Sequence, residues 1–479
     1  MHSSSITKLG TGVPGLDELT YGGLPRSRPT LLIGRSGTCK TVLALQLACT
    51  VAKAETVQFV TLEERVSDLE QMGHDLGFDT PALVESKRLR LIEFLPPRER
   101  VIIAGEIDLE GLVNDLIHST ERAGATLLVV DSLTALFALY GLADAGRRAL
   151  FTLASACASR EITLIITAES LDDYEHTQGL AAEDYVCDLV LVLRNVVDGK
   201  RRRRSIEVQK YRRSPHLKGE YPLVLTSSGV VLFPLDTESG GGPHPQPGDP
   251  HQPSRFKSGI SGLDEMTGGG WLRDSIALVR GPTGSGKTVL SGIYALTGAL
   301  RKERVFYYGF EETREALLRN WKTLGIDMQP AIDSGHLKVT SRFPESASTE
   351  DMVVELRMVL DEYQPSLIVL DSISAIEHST SPEMFRQFIV GVISALRHHG
   401  RSALLTQAVA PDLGTDIAAP YISTVCDAIL VLGYRQRDAE LERIIRVLKM
   451  RGSNHELGIR RMAIQAGGLV VDSPVDPSP

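Results

Sequence analysis

Short apolar runs alternate with amphipathic stretches along both halves of the chain. These runs are apolar almost throughout, whereas strands with one solvated face alternate apolar and polar residues. The pattern therefore predicts mostly parallel sheets covered by helices on both faces, an α/β fold. The strand candidates are Leu31–Gly34, Val57–Leu62, Leu127–Asp131 and Thr163–Thr167 in the first half, and Ile276–Arg280, Val305–Phe310, Leu367–Asp371 and Ala403–Thr406 in the second.

The two halves of the chain repeat one another. Each contains the segment GLDE, then a threonine, a glycine pair, an apolar run and a glycine-rich loop. The loops begin at Gly34 and Gly281, which are 247 positions apart, and Asp131 and Asp371 are 240 positions apart. A repeat of this length indicates duplicated whole domains, because the repeats of solenoid proteins are only about 20–50 residues long.

The repeat predicts two domains, at 1–236 and 255–472. Residues 237–254 between them are rich in glycine and proline and offer little to bury, which is typical of a linker. Residues 473–479 are expected to form a frayed tail.

Composition and charge narrow the class of protein. The chain is 42% hydrophobic and 23% charged, as in packed soluble domains. Its net charge of −9 disfavours nucleic acid as a partner, because neutralising phosphates needs a basic face. The five cysteines lack metal-site spacing and fit a reducing cytoplasm. No signal peptide or membrane span is expected, since the apolar stretch 127–143 is short and interrupted by polar residues.

The second glycine-rich loop reads GPTGSGKT, a complete Walker A motif. Gly281, Gly284 and Gly286 allow the backbone N–H groups to approach phosphates closely. Lys287 is expected to reach the β- and γ-phosphates, and the Thr288 hydroxyl to ligate Mg²⁺. The loop therefore predicts ATP and Mg²⁺ as the ligands of this domain.

The first loop reads GRSGTCKT. Gly34 and Gly37 keep their places, Lys40 is the expected phosphate ligand and Thr41 the expected metal ligand. Cys39 replaces the last glycine, and a side chain there is expected to crowd the phosphates and to weaken binding or turnover. A redox role for this thiol is an alternative, because helix N-termini lower thiol pKa values, but tolerated drift is the favoured interpretation.

Carboxylates end two strands of each repeat. Asp131 and Asp371 close apolar runs downstream of the loops, as the Walker B aspartates that hold Mg²⁺ do. A helix N-cap is the alternative. Adjacent glutamates follow another strand in each half, and Glu63 and Glu311 are predicted to act as general bases, with capping as the alternative role.

Basic residues recur near the end of each repeat. Lys210 with Arg212, and Lys449 with Arg451, would lie on one face of a strand and could clamp a nucleotide phosphate between subunits. The alternative is a solvated basic edge strand. The run KRRRR at 200–204 is interpreted as an exposed hairpin tip in preference to a nucleic-acid patch.

Together these motifs resemble the KaiC family from about residue 8 to about residue 470. The GLDE segments, the glutamate pairs, the arginine run and the segments KGEYP, FRQF and KMRGS carry the resemblance. It implies two tandem RecA-like P-loop domains in a homohexamer, with ATP at the subunit interfaces. It further implies a slow ATPase in the first domain and a serine/threonine autokinase in the second, in circadian or stress-type signalling.

The resemblance also implies the phosphoacceptors and the partners. The acceptors would be the adjacent hydroxyls of Ser423 and Thr424, and Ala418 stands where the family has a further threonine. A KaiB-like protein or a sensor kinase would be a partner. Activation of the KaiA type is not expected, because the chain ends soon after Gly468. The rival interpretations are a RecA- or RadA-like nucleic-acid-dependent ATPase and a signalling scaffold in which ATP only holds the ring together.

Overall fold

The computed structural model describes residues 6–94, 109–132, 143–170, 186–198, 201–232, 254–409, 420–437 and 440–474. The chain divides into two compact units, Met1–Pro234 and Leu235–Pro479. Nearly all of the predicted linker lies outside the described residues. In the part that is described, each unit holds one nine-stranded sheet and one two-stranded sheet.

The first unit is built from short strands and helices that alternate along the chain. Its strands are β1 (Lys8–Leu9), β2 (Leu24–Pro25), β3 (Pro29–Gly34), β4 (Val57–Thr61), β5 (Leu89–Glu93), β6 (Leu127–Asp131), β7 (Thr163–Glu169), β8 (Leu189–Asp198), β9 (Arg201–Tyr211), β10 (Glu220–Thr226) and β11 (Gly229–Leu232). Its helices are α1 (Leu16–Leu19), α2 (Lys40–Ala52), α3 (Val66–Asp75), α4 (Thr80–Glu85), α5 (Leu109–Arg122) and α6 (Ala143–Ser159).

The second unit follows the same plan. Its strands are β12 (Arg255–Phe256), β13 (Trp271–Leu272), β14 (Ile276–Gly281), β15 (Val305–Gly309), β16 (Leu337–Ser341), β17 (Leu367–Asp371), β18 (Ser402–Ala408), β19 (Ala428–Arg437), β20 (Glu440–Met450), β21 (Arg460–Gln465) and β22 (Gly468–Pro474). Its helices are α7 (Ser261–Met266), α8 (Lys287–Leu300), α9 (Arg314–Thr323), α10 (Gln329–Asp333), α11 (Thr349–Glu362), α12 (Ile373–Ser379), α13 (Pro382–His398) and α14 (Pro420–Val425).

The two large sheets have the same strand order. The first runs β5-β4-β6-β7-β3-β8-β9-β10-β11 and the second runs β16-β15-β17-β18-β14-β19-β20-β21-β22. In the spatial order just given, the six strands from β5 through β8 pair in parallel, and so do the six from β16 through β19. All other neighbouring strands of the two sheets pair antiparallel. The predicted α/β fold with tandem, mostly parallel sheets is confirmed.

The strand order sets the position of the site. In each unit one strand separates the strand that carries the P-loop from the strand that ends in the aspartate: β7 in the first unit and β18 in the second. Parallel strands point their carboxyl ends to the same edge, and ligands of open α/β sheets bind at that edge. The loop, the aspartate and the end of the intervening strand therefore converge in each unit.

Apolar packing on both faces of each sheet holds this edge in place. The central strands β3 and β14 are buried along their whole length. The helices that follow them, α2 and α8, are buried on most sides, with Leu43, Leu47, Leu290 and Ala295 at most 1% exposed. Burying one leucine side chain contributes about 1.5–3 kcal/mol, so these helices fix the P-loops to a rigid core.

Two further findings bear on the sequence predictions. Strand β22 continues to Pro474, two residues into the segment that was expected to be a frayed tail. Among the described residues, no helix is both long enough and apolar enough to cross a bilayer.

Two candidate nucleotide sites

Each P-loop joins the central strand of its sheet to a helix. The loop lysine turns back onto the loop: Lys287 Nζ donates to the carbonyls of Gly281 and Pro282 at 2.8 and 3.0 Å. Lys40 Nζ makes the equivalent bonds to the carbonyls of Gly34 and Arg35 at 2.8 and 2.9 Å. Each loop thus combines a lysine ammonium with a helix N-terminus, two features that favour a bound phosphate.

Burial and nearby carboxylates act in opposite directions on these lysines. Loss of solvent lowers the pKa of the Lys287 and Lys40 ammonium groups, and the neighbouring acids raise it. For Lys287 the acids are Asp371 and Glu311. The predicted phosphate ligand, aspartate and general base of the second unit are therefore close enough to interact.

The first unit brings its predicted metal ligands together. Thr41 Oγ1 donates to Asp131 Oδ2 at 2.9 Å, and Thr167 Oγ1 donates to Asp131 Oδ1. Burial raises the pKa of the Asp131 carboxyl, and the two hydroxyl donors lower it. Hydroxyl and carboxylate oxygens are the ligands that Mg²⁺ prefers.

The donor set fits Mg²⁺ bound together with phosphates better than a metal cage. Among the described residues, no group of three or more His, Cys, Asp or Glu side chains could hold an ion. Mg²⁺ usually takes one or two carboxylates and completes its shell with substrate phosphates and water.

The aspartate of the second unit has a different neighbour. Asp371 Oδ1 accepts from Thr406 Oγ1, as Asp131 does from Thr167, but Asp371 Oδ2 accepts from the Tyr307 hydroxyl at 2.5 Å. Asp371 is 5% exposed and ends β17, where the motif placed it.

The glutamate pair of the second unit separates into two environments. The Glu312 carboxylate accepts from Asn320 Nδ2 of α9 at 2.7 Å, and its carbonyl accepts from Ser341 Oγ. Loss of solvent raises the pKa of the Glu311 carboxyl, while a hydrogen bond from Ser372 and the charge of Lys287 lower it. Glu312 is thus fixed to the fold, and Glu311 belongs to the charged cluster around the P-loop.

The corresponding glutamates of the first unit are less clearly divided. Glu63 acts electrostatically on Lys40 and Asp131 and therefore lies in the first charged cluster. Burial and the charges of Asp131 and Glu63 raise the pKa of Glu64. Both glutamates of this pair thus belong to one acidic group beside the first P-loop.

The basic pair near the end of the second repeat lies beside a helix of its own unit. Lys449 Nζ donates to the carbonyls of Ser423 and Cys426 at 2.6 and 2.8 Å, and an Arg451 guanidinium nitrogen donates to the carbonyl of Thr424 at 2.8 Å. A lysine and an arginine at the carboxyl end of a helix satisfy its last carbonyls and oppose its dipole. The cations that the sequence placed against nucleotide thus also hold the predicted acceptor segment.

The sequence interpretation of these pairs as two residues of one strand needs correction. Strand β20 ends at Met450 and β9 ends at Tyr211, so Arg451 and Arg212 lie one residue beyond their strands. Arg451 lies 3.7 Å from Asp427 and Arg212 lies 3.5 Å from Asp188 in equivalent ion pairs. The pairs mark a strand end rather than an edge strand.

The predicted acceptors lie on the short helix α14. Ser423 is partly buried and Thr424 is exposed, while Ile422 and Cys426 on either side are fully buried. These apolar neighbours anchor the segment, so the exposed threonine projects from a fixed support directly before β19.

Sequence reasoning missed two arginines that contact the P-loops. Arg204 Nε donates to the carbonyl of Gly37 at 3.0 Å, and Arg443 Nε donates to the carbonyl of Gly284 at 3.2 Å. They are 239 positions apart, the same offset as Lys210 and Lys449, and this shared offset could have identified them. Arg204 belongs to the basic run, whose described part begins β9 in a hairpin with β8, as predicted. Lys200 lies outside the described residues.

Cys39 adopts a backbone conformation suited to glycine. Its φ is 71°, and that of the equivalent Gly286 is 103°. A Cβ on Gly286 would meet Ile464 Cδ1 at 3.2 Å, and the Cys39 side chain packs against the apolar cluster of its unit. The side chain thus packs against the core, whereas the sequence analysis expected it to crowd the phosphates. Burial raises the pKa of the thiol, which is opposite to the lowered pKa that the alternative redox role would need.

Comparison with known proteins gives the family. The family model "ATPase: KaiC" matches residues 9–237 and 256–476. The circadian clock oscillator protein KaiC of Picosynechococcus sp. is 37% identical over 473 residues, which cover 97% of this chain and 90% of that protein. KaiC of Acaryochloris marina is 36% identical and KaiC 1 of Synechocystis sp. 35% identical, each over 470 residues that cover 97% of this chain and 88% of the relative.

These matches extend over both units. They include both P-loops, both aspartates and the segment that carries Ser423 and Thr424. They do not favour the nucleic-acid-dependent motor that the sequence left open. The resemblance drawn from the motifs is confirmed, and the chain belongs to the KaiC family of ATPases.

Proposed function

We propose that this ATPase is also a serine/threonine autokinase, in which the second site of one subunit phosphorylates Ser423 or Thr424 of a neighbour. The observation that carries the proposal is the position of Lys449 and Arg451, which hold the carbonyls of both acceptor residues. Residues predicted to face nucleotide thus also hold the backbone of the acceptor residues, and the same unit carries a complete P-loop.

The proposed reaction assigns one role to each residue of the second site. Lys287 and the P-loop N–H groups bind the β- and γ-phosphates. Thr288 and Asp371 would hold Mg²⁺, which offsets phosphate charge when bound. Glu311 accepts the proton of the attacking hydroxyl, whose oxygen forms a bond to the γ-phosphorus as the bond to ADP breaks. Lys40, Thr41, Asp131 and Glu63 would play the equivalent parts in hydrolysis at the first site.

Incubation of the purified chain with ATP labelled at the γ-phosphate tests the kinase. Acid-stable label on the protein, located by mass spectrometry on Ser423 or Thr424, supports it. Release of labelled phosphate with none on the protein would leave an ATPase without kinase activity.

Assembly gives a separate prediction. A head-to-tail ring closes through heterologous contacts, and nucleotide bound between subunits stabilises it. With ATP and Mg²⁺ we expect light scattering to show a hexamer of about six times 52.2 kDa. Removing Mg²⁺ with EDTA in the absence of nucleotide should shift the population to smaller species. Particles of 52.2 kDa alone at saturating ATP and Mg²⁺ would contradict the ring.

The first site gives a prediction about Cys39. In a Lys287→Ala background, which silences the second site, Cys39→Gly should tighten ATP binding about fivefold. The left-handed loop conformation costs a residue other than glycine about 1–2 kcal/mol, so glycine should raise the fraction of unliganded loops that are ready to bind. Isothermal titration calorimetry measures the change. Cys39→Ala keeps a Cβ in the same conformation and should bind as the parent does. Equal affinities for the glycine and alanine variants would show that the backbone at this position does not limit binding.

The wider role proposed here is circadian or stress-type signalling in the cytoplasm. Its support is the name of the relatives, which are circadian clock oscillator proteins. A ring that changes charge on phosphorylation can present a switchable surface, since a phosphate adds about −1.5 to −2 charge. A KaiB-like protein or a sensor kinase is the kind of partner that such a surface would serve.

A further inference from the structure

The aspartate of the second site is connected to a buried hydroxyl that the first site lacks. The Tyr307 hydroxyl donates to Asp371 Oδ2 at 2.5 Å and lies 3.1 Å from Ser291 Oγ. Tyr307 is 0% exposed, and Ser291 is 0% exposed as well. The tyrosine therefore cannot exchange this partner for water, and its hydroxyl is committed to the aspartate.

The same positions of the first unit carry no hydroxyl. We aligned the two units on the ends of their P-loops, CKT and GKT, and on their glutamate pairs. In this alignment Phe59 corresponds to Tyr307 and Ala44 corresponds to Ser291. There the oxygen Asp131 Oδ2 accepts instead from Thr41 Oγ1 at 2.9 Å. The duplicated domains have thus assigned one carboxylate oxygen to different donors: the P-loop threonine in the first and a strand tyrosine in the second.

A second difference between the two units concerns the residue that packs against the Tyr307 ring. Trp321 of α9 stands 4.8 Å from Tyr307, centroid to centroid, with the rings at 82°. A Cβ on Gly292 would lie 2.5 Å from Trp321 Nε1, so only glycine leaves room for the indole. In the first unit Leu45 corresponds to Gly292 and Gly73 corresponds to Trp321, so the large and the small residue have changed places.

The tryptophan and the serine also hold the start of the P-loop helix. Trp321 Nε1 and Ser291 Oγ each donate to the carbonyl of Thr288 at 3.1 Å. Thr288 is the residue whose hydroxyl is the expected metal ligand. One buried cluster thus contacts both predicted ligands: Tyr307 touches Asp371, and Ser291 and Trp321 touch Thr288.

We propose that Tyr307 is a positioning residue of the second site, which orients Asp371 toward a divalent cation bound with a nucleoside triphosphate. Thr406 holds Oδ1 and Tyr307 holds Oδ2, so the carboxylate cannot rotate about its Cβ–Cγ bond without losing both bonds. Each carboxylate oxygen keeps a second lone pair for the metal or its water shell. In the first unit Thr41 donates to this carboxylate oxygen, whereas in the second unit Tyr307 donates to it. The hydroxyl of Thr288, which corresponds to Thr41, is therefore not needed as this donor and can bind the metal. This inference rests on the proposed function.

The test compares two hydroxyl deletions on one strand. Tyr307→Phe removes the donor to Asp371, whereas Tyr308→Phe removes a hydroxyl that donates to Glu355 at 2.6 Å. Both are made in the full chain with Lys40→Ala, so that only the second site binds. The probe is an ATP analogue with nitrogen between the β- and γ-phosphates, whose binding is measured in EDTA and during a Mg²⁺ titration.

We expect Tyr307→Phe to raise the Mg²⁺ concentration at half-maximal binding about tenfold, as loss of an outer partner of a metal ligand does. Analogue affinity in EDTA should change less than about twofold, because Tyr307 does not touch the P-loop amides. Tyr308→Phe should leave both values at the parental level. A structural role alone would lower thermal stability without moving the Mg²⁺ midpoint.

The possible results lead to different conclusions. Equal Mg²⁺ midpoints in Tyr307→Phe and the parent would overturn the positioning role, and analogue binding would still support the proposed function. No analogue binding by the Lys40→Ala parent would overturn both. If Tyr307→Phe does not fold, Ser291→Ala keeps the ring of Tyr307 and removes the hydroxyl that contacts both Tyr307 and the carbonyl of Thr288. It should raise the midpoint about threefold, in line with one net hydrogen bond, and an unchanged midpoint would again overturn the inference.

Discussion

Replacing Lys287 with alanine is expected to lower phosphate transfer at the second site by at least about 100-fold, the loss typical of removing one preorganised charge donor. The Lys287 side chain is 8% exposed and already lies along the loop, so little reorganisation is needed for it to meet a phosphate. The alanine variant leaves the loop glycines in place but removes the ammonium group. Incorporation of γ-labelled phosphate into the protein measures the effect.

Lys40→Ala is the matched control, because Lys40 makes the same two loop contacts in the first unit. Provided that light scattering shows the same assembly, its labelling should stay within about threefold of the parent, since the loop contacts of each lysine lie within its own unit. Labelling of the Lys287→Ala protein at the parental rate would show that the second P-loop is not the kinase site. Loss of labelling in both variants would indicate that nucleotide at both sites is needed for assembly of the ring.

The sheets and the loops could be predicted because their signals are local. Strands β3, β6, β14 and β17 are apolar runs in the sequence and are buried along their whole length in the structure. The predicted strands end within two residues of the observed ones. Each functional carboxylate or loop directly follows such a run, so its place at the edge of the sheet follows from strand direction alone.

Contacts between distant segments could not be predicted in the same way. Arg443 reaches the loop carbonyl of Gly284 from β20, and Trp321 reaches Thr288 from α9. The repeat offset marks Arg443 as the counterpart of Arg204, but neither that offset nor any other spacing indicates these contacts. Cys39 was expected to face phosphate because the motif gives its place but not the direction of its Cβ. In the second unit a Cβ on the equivalent Gly286 would meet Ile464 of β21, and in the first unit Cys39 packs against the apolar cluster of its own unit.

Replacing Glu311 with glutamine is expected to reduce phosphorylation of Ser423 and Thr424 by about 10²–10⁴-fold, the usual contribution of a general base. The amide keeps the size of the side chain but cannot take up the hydroxyl proton. Partial loss of solvent raises the pKa of the Glu311 carboxyl, which makes the carboxylate a better proton acceptor than a fully solvated glutamate. Quantitative mass spectrometry of both hydroxyls after incubation with ATP and Mg²⁺ measures the loss.

The pH dependence follows from the direction of that shift. A general base acts in its deprotonated form, so the parental labelling rate should fall as the pH drops through the raised pKa of Glu311. The residual rate of Glu311→Gln should lack this limb, because the amide does not titrate. A profile of the same shape in both proteins would assign the proton transfer to another group.

Glu312→Gln is the control that separates chemistry from folding. Its carboxylate accepts from Asn320 Nδ2 at 2.7 Å, a bond that a glutamine oxygen can still accept, so α9 should keep its place. We therefore expect this variant to phosphorylate Ser423 and Thr424 within about threefold of the parental rate, because a replacement of equal size that keeps its hydrogen bond changes little. If Glu312→Gln lost labelling and Glu311→Gln kept it, the roles assigned within the pair would be reversed. If both kept it while Lys287→Ala lost it, transfer would proceed by positioning and charge alone, without a carboxylate base.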